Sequence, residues 1–200
     1  MIELLPLQEE NLHYIVEWNN EKGSDFLCQW AGPSAYSYPI TEQQIKTRLE
    51  YSNRKQSDFK MYQIMLDHST MIGTVELFNI EKDTLRATMG RFLLAEEYRG
   101  KGYGQQAIKA IFRIAKNLLG LEELRLNVFE YNIAAQKCYE KAGFVFDSIK
   151  ENAKNPKWNL YSYVIELYAI DIETGKRILP DVQPEYTPEN DEPPPDIYTY

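Results

Sequence analysis

The chain is poor in the residues that build metal centres and disulfide frameworks. Among its 200 residues are two cysteines and two histidines. Cys28 and Cys138 stand far apart, and His13 and His68 are isolated from them and from each other. No metal site is expected, and Cys138 reads as a small packing residue. No apolar run reaches the roughly 18 residues that a spanning helix needs. The opening Met1-Ile2-Glu3-Leu4-Leu5-Pro6 has no basic stretch leading into an apolar block, so a signal-peptide reading is not supported. A reducing, cytoplasmic setting is expected. Positive charge is also in deficit: 22 Lys and Arg face 30 Asp and Glu, for a net charge of −8. Neither nucleic acid nor membrane is expected as a partner.

Much of that imbalance sits at one end. Residues 180–200 hold six of the ten prolines and six acidic residues, with no basic residue. Residues 1–175 are therefore read as one folded domain. Residues 176–200 are read as an acidic, proline-rich arm, disordered or draped on the surface. Tyr186, Ile197, Tyr198 and Tyr200 are candidates to dock on a second subunit or to cover a substrate mouth; a homodimer stays open.

Glycine is sparse, yet three of the ten fall at every second position in Tyr98-Arg99-Gly100-Lys101-Gly102-Tyr103-Gly104. Bare backbone there can curl around a ligand. A helical pattern follows at once: Ala107, Ile108, Ile111, Phe112, Ile114, Ala115 and Leu118 predict roughly four turns. A helix start directs free N–H groups and a positive dipole end at the loop, which makes a seat for phosphate oxygens. The segment is not a P-loop, because no Gly-Lys-Ser/Thr follows, and it lacks the Gly-x-Gly-x-x-Gly spacing of dinucleotide sites. Alone, it also fits a strand-to-helix turn without a ligand.

Its fixed positions do match the acetyl-CoA loop Arg/Gln-x-x-Gly-x-Gly/Ala, through Arg99, Gly102 and Gly104. A second segment, Asn132-Ile133-Ala134-Ala135-Gln136-Lys137-Cys138-Tyr139-Glu140-Lys141-Ala142-Gly143-Phe144, matches Asn-x-x-Ala-x-x-x-Tyr-x-x-x-Gly-Phe. Together the two signatures resemble the GNAT superfamily of acetyl-CoA-dependent N-acetyltransferases. The resemblance is good over residues 59–168 and looser before them. It implies an α/β (α+β) fold: a mixed, mostly antiparallel sheet of about seven strands with helices on both faces. The chain's own pattern agrees. It predicts a strand at 3–5, helices at 9–20 and 41–54, and a loop over 21–40. Strands come next at 59–67, 70–80 and 84–95, then the helix after the glycine loop with Gly120 as its stop, a strand at 123–129, a helix from Asn132 to Gly143, and strands at 144–150 and 158–170.

The resemblance further implies acetyl-CoA as co-substrate, without a metal, and acetyl transfer to a primary amine of a small molecule or a protein N-terminus. Attack would be direct, in a ternary complex. Phe92 and Leu94 would offer main-chain amides to the pantetheine arm and thioester. Arg99, Gly100, Lys101, Gly102, Tyr103, Gly104 and Gln105 would hold the pyrophosphate. Asn132 would contact the cofactor, cap its helix, or do both. Tyr139 would protonate the leaving sulfur, since a phenol is protonated at neutral pH; otherwise it only packs.

The base is less plain. Family members often carry a glutamate on the strand equivalent to 84–95, and this chain has none there. Glu76 is the remaining candidate, as a buried carboxylate relaying a proton through water or as a merely solvated one. Arg91 would orient a substrate carboxylate or pair with Glu76. Trp30 and Tyr38 would wall an amine by cation–π contact, or simply pack their loop. The stretch around them resembles bacterial relatives of ribosomal-protein and aminoglycoside acetyltransferases. With no carboxylate on the 84–95 strand, a non-catalytic acyl-CoA-binding or interaction module working through the acidic arm is the alternative.

Overall fold

Among the described residues, alternating apolar residues build seven strands: β1 (Ile2–Pro6), β2 (Lys60–Leu66), β3 (Thr70–Glu81), β4 (Arg86–Leu94), β5 (Glu123–Phe129), β6 (Val145–Lys150) and β7 (Leu160–Glu166). The computed structural model describes residues 1–169 and residue 171. The expected acidic arm lies outside the described residues. The strands form one sheet in the order β1-β2-β3-β4-β5-β7-β6. Only β4 and β5 run parallel; the other pairs are antiparallel. The mixed, mostly antiparallel α/β architecture is thus the one expected.

Among the described residues, five α-helices cover the sheet: α1 (Leu12–Asn20), α2 (Ser24–Ala31), α3 (Glu42–Ser52), α4 (Tyr103–Arg113) and α5 (Ile133–Ala142). Period-two alternation splits the core between the two faces. On β2, Met61 and Met65 join Leu12, Ile15, Leu27, Ile45 and Leu49 of α1 to α3. Tyr62 and Ile64 face the other way, toward Ile108, Ile111 and Phe112 of α4 and Ala142 of α5. Helix α3 starts where its capping residues predict, with Thr41 Oγ1 accepting from the Gln44 amide at 3.3 Å. Helix α5 runs from an Asn132 cap to Gly143 in the left-handed region, φ 106°.

Two expectations are corrected. Residues 21–40 are not all loop, because α2 occupies Ser24–Ala31. Glycine content suggested a loop, but Gly23 and Gly32 sit just outside the two ends of that helix, at φ 87° and 79°. Between them, Leu27 and Ala31 are buried one helical turn apart. Leu118 does not continue the apolar stripe of α4 and is 78% exposed. Residues Ile114–Leu118 form a wider π turn, closed by Leu119 N–H to Ile114 C=O at 3.1 Å. The extra residue per turn rotates Leu118 off the buried face.

Two irregularities in β4 interrupt the sheet at its centre. Gly90 faces Glu76 and Leu93 faces Thr74, so Arg91 and Phe92 together oppose the single residue Val75. That is a β-bulge, and Arg91 takes φ 48° within it. On its other side, β4 pairs with β5 only from Arg86 to Thr88. Beyond Thr88 the two strands diverge and leave a gap.

Candidate active site

The gap opens into a cavity of about 660 Å³. Its floor is β4 from Gly90 to Leu94, with Asn127 and Val128 of β5 across from it. The glycine loop and the start of α4 close one end, α5 walls one side, and α2 contributes Phe26, which lies under the Arg99 guanidinium, together with Gln29 and Trp30.

The cofactor-type features are mostly main chain. Ala95 donates its N–H to Ile72 of β3 at 2.9 Å. Alternation therefore turns the adjacent Leu94 amide toward the gap. Gly102 caps α4 at φ 80°, a left-handed conformation that suits glycine. A Cβ there would meet nothing within 4 Å, so the space before the helix is open. The first helical bond is Gln106 N–H to Gly102 C=O, at 3.3 Å. The amides of Tyr103, Gly104 and Gln105 consequently point out of the helix end. Gly104 needs its small size: a Cβ would lie 3.2 Å from Cys138 Sγ. Arg99 braces the loop, donating from Nε to the Leu94 carbonyl at 2.8 Å. Lys101 and Tyr103 do not line the cavity with their side chains; both lie against Tyr98 instead. Bare amides, a left-handed glycine and open space at a helix start fit the diphosphate of coenzyme A. Among the described residues no group of ligands could hold a metal.

Tyr139 lines the cavity between the rings of Phe92 and Phe144, at centroid distances of 6.5 and 6.1 Å. Burial, with a smaller contribution from Cys138, pushes its phenol well above the ordinary tyrosine value. It therefore keeps its proton throughout the neutral range. Burial likewise raises the Cys138 thiol, which keeps it protonated. Asn132 lines the cavity and also caps α5, accepting from the Ala135 amide at 3.3 Å.

The other end is built from side chains. Glu76, 2% exposed, accepts from Arg48 Nη2 at 2.8 Å and Nε at 3.0 Å, and from Arg91 Nη1 at 3.1 Å. Tyr36 donates to it at 3.5 Å. Burial first, then the Glu76 charge, drives the Tyr36 phenol far above its usual value. Burial opposes the charge on Arg48, yet the Glu76 hydrogen bond and charge leave that guanidinium with a raised pKa. Arg91 lies under Phe78, 4.4 Å from the ring centre, and burial lowers its pKa. Of this cluster only Arg91 lines the cavity. Glu76 does not reach it.

Trp30 lines the cavity and is anchored by its indole N–H to Asn19 Oδ1 at 2.8 Å. Tyr38 does not; it is 47% exposed and donates to the Asn20 carbonyl. Sequence reasoning missed Phe26 and Gln29, because α2 was read as loop. It also missed Lys137 and Lys141, whose spacing of four on α5 puts both on one helix face and was a usable signal. Arg48 carried no local signal.

The model of the acetyltransferase (GNAT) domain family matches residues 2–145. The chain is 29% identical over 153 residues to the probable N-acetyltransferase YjcK of Bacillus subtilis (strain 168), covering 76% of this chain and 81% of that protein. It is 31% identical over 77 residues to the spermine/spermidine N(1)-acetyltransferase of the same organism, 38% of this chain and 51% of that one. Its fold is similar to the crystal structure of the spermidine N-acetyltransferase from Vibrio cholerae in complex with CoA and spermine. The TM-score there is 0.70 at 20% identity, over 84% of this chain and 96% of the other.

Proposed function

The chain belongs to the GNAT acetyltransferase family, whose acyl donor is acetyl-CoA, and on that premise we propose that it acetylates a primary amine of a small molecule by direct attack within a ternary complex. The observation that carries this reading is the divergence of β4 from β5 beyond Thr88, with the Leu94 amide turned into the gap and a helix start at its far end. Bound acetyl-CoA supplies an activated acetyl thioester. The amides of residues 103–105 and the side chain of Arg99 hold the diphosphate, and Lys137 and Lys141 add charge for phosphate oxygens at the α5 side. The amides of Phe92 and Leu94 receive the pantetheine arm and the thioester carbonyl, stabilising charge that grows on its oxygen. Asn132 contacts the cofactor arm.

The amine nitrogen bonds to the acetyl carbon as the carbon–sulfur bond breaks. Tyr139 holds the proton that the departing sulfur takes up. The amine's own proton leaves to water in the open end of the cavity. Glu76 is better suited to positioning than to base work, because both of its oxygens already accept from guanidinium groups. It fixes Arg91, which with Trp30 faces the acceptor.

The test is thiol release from acetyl-CoA across a broad amine panel, with cofactor binding followed by calorimetry. Release with at least one class of amine is expected. Tight cofactor binding with no release from any amine would favour a binding module instead.

A further inference from the structure

We propose that the acceptor is an amino acid, an amine carrying its own carboxylate, and that Arg91 binds that carboxylate. This rests on the acetyltransferase reading and narrows its substrate class.

The first ground is the charge of the cavity. Among the described residues, four cationic side chains line it, Arg91, Arg99, Lys137 and Lys141, and no aspartate or glutamate does. This holds in a chain whose net charge is −8. Three of the four sit on the glycine loop or on α5, where coenzyme A phosphates consume positive charge. Arg91 is on neither: it stands on β4 between Gly90 and Phe92 and is joined to the Glu76 cluster. A polyamine would bring several positive charges to a wall whose described residues include four cations and no carboxylate. An anionic group on the acceptor meets a cation there.

The second ground is the incomplete pairing of Arg91. With Arg48 and Glu76 it forms a buried cluster of two guanidiniums and one carboxylate, so one positive charge is left over. Arg48 takes Glu76 with two nitrogens, whereas Arg91 reaches it through Nη1 alone. Arg91 Nε is buried and has no hydrogen-bond partner among the described residues. The other groups facing the cluster do not neutralise it. The Tyr36 phenol is neutral, and Asp58, exposed at the protein surface, acts on Arg48 rather than Arg91. A guanidinium that shares its carboxylate with a second one, in a site of reduced dielectric, favours a further anionic acceptor such as a carboxylate.

The third ground is register. Arg91 and Phe92 share the bulge, so the guanidinium and the amide that receives the thioester come from adjacent residues. A carboxylate held by Arg91 keeps the amine of the same small molecule near the acetyl carbon. Positioning of this kind is how a substrate-binding arginine raises rate as well as affinity.

The experiment pairs each of several amino acids (glycine, alanine, phenylalanine, glutamate) with its α-carboxamide, adds spermidine and spermine, and reads thiol release by the wild-type full chain. The amide removes the carboxylate and keeps the amine. Its amine is also the less protonated of the two, so amine ionisation works against the expected result. We expect kcat/KM for the preferred acid to exceed that for its amide by about 30-fold, as for a charge-assisted pair. In Arg91→Gln that ratio falls toward one, and Arg91→Lys restores part of it. Calorimetry with acetyl-CoA shows that each variant is folded and loaded. Amides or polyamines used as well as the acids would overturn the proposal and leave acetyl transfer standing. No release from any member of the panel would overturn both. A ratio unchanged in Arg91→Gln would remove Arg91 from acceptor binding.

Discussion

The two ends of the cavity are made of different material. The cofactor end is main chain: amides of β4, a left-handed glycine, and the open first turn of α4. The acceptor end is side chain: Trp30 locked to Asn19, and Arg91 locked to Glu76, itself gripped by Arg48. A main-chain seat recognises what every donor molecule shares and depends on local backbone shape. A side-chain seat can be rewritten residue by residue, but it depends on partners from distant segments. The acceptor end should therefore be costly to fold and easy to respecify, and the cofactor end the reverse.

The largest effect should come from Glu76→Gln. It leaves two guanidiniums facing each other without a compensating charge, at a cost of about 3 kcal/mol. A thermal melt should fall by roughly 10 °C. Wild-type melting would break the comparison, since the acceptor end would then not rest on its ion cluster. Next is Gly102→Val, which forces a β-branched side chain into a left-handed conformation and fills the space before α4. Acetyl-CoA affinity should drop about 100-fold, near 2.8 kcal/mol, while the melt shifts less than for Glu76→Gln. Normal affinity by calorimetry would show that the diphosphate is held elsewhere. The smallest is Tyr139→Phe. A thiol is a fair leaving group, with a pKa of about 8.5, so kcat should fall only about tenfold, with cofactor affinity nearly unchanged. An unaltered kcat would remove Tyr139 from proton transfer and leave it as packing between Phe92 and Phe144.

The same contrast explains how much was legible in the sequence alone. Gly102 is held to glycine by its backbone angle, and residue 104 is held small by its closeness to Cys138. Such demands print a motif into consecutive residues. The sheet was legible for the same reason, since burial on two faces imposes alternation. Helix α2 was not, because Gly23 and Gly32 look alike whether they bracket a short helix or punctuate a loop. Nor could Arg48 be found: it lies on α3, 28 residues from the Glu76 it holds. Tyr38 and Trp30 looked equivalent, and only packing sends one into the cavity and the other to the surface.

The bulge at Arg91 and Phe92 acts as a stop on a zipper. A strand with one residue fewer there would run straight beside β3, and nothing would bend it away from β5. Parallel pairing could then continue past Thr88 and close the cleft. On the proposed role of Arg91, exchange of residue 91 would thus change which acceptors are taken, whereas deletion of it would abolish the room for any donor. Variants of this protein with new specificity should be sought by substitution at that point, with the length of β4 held constant.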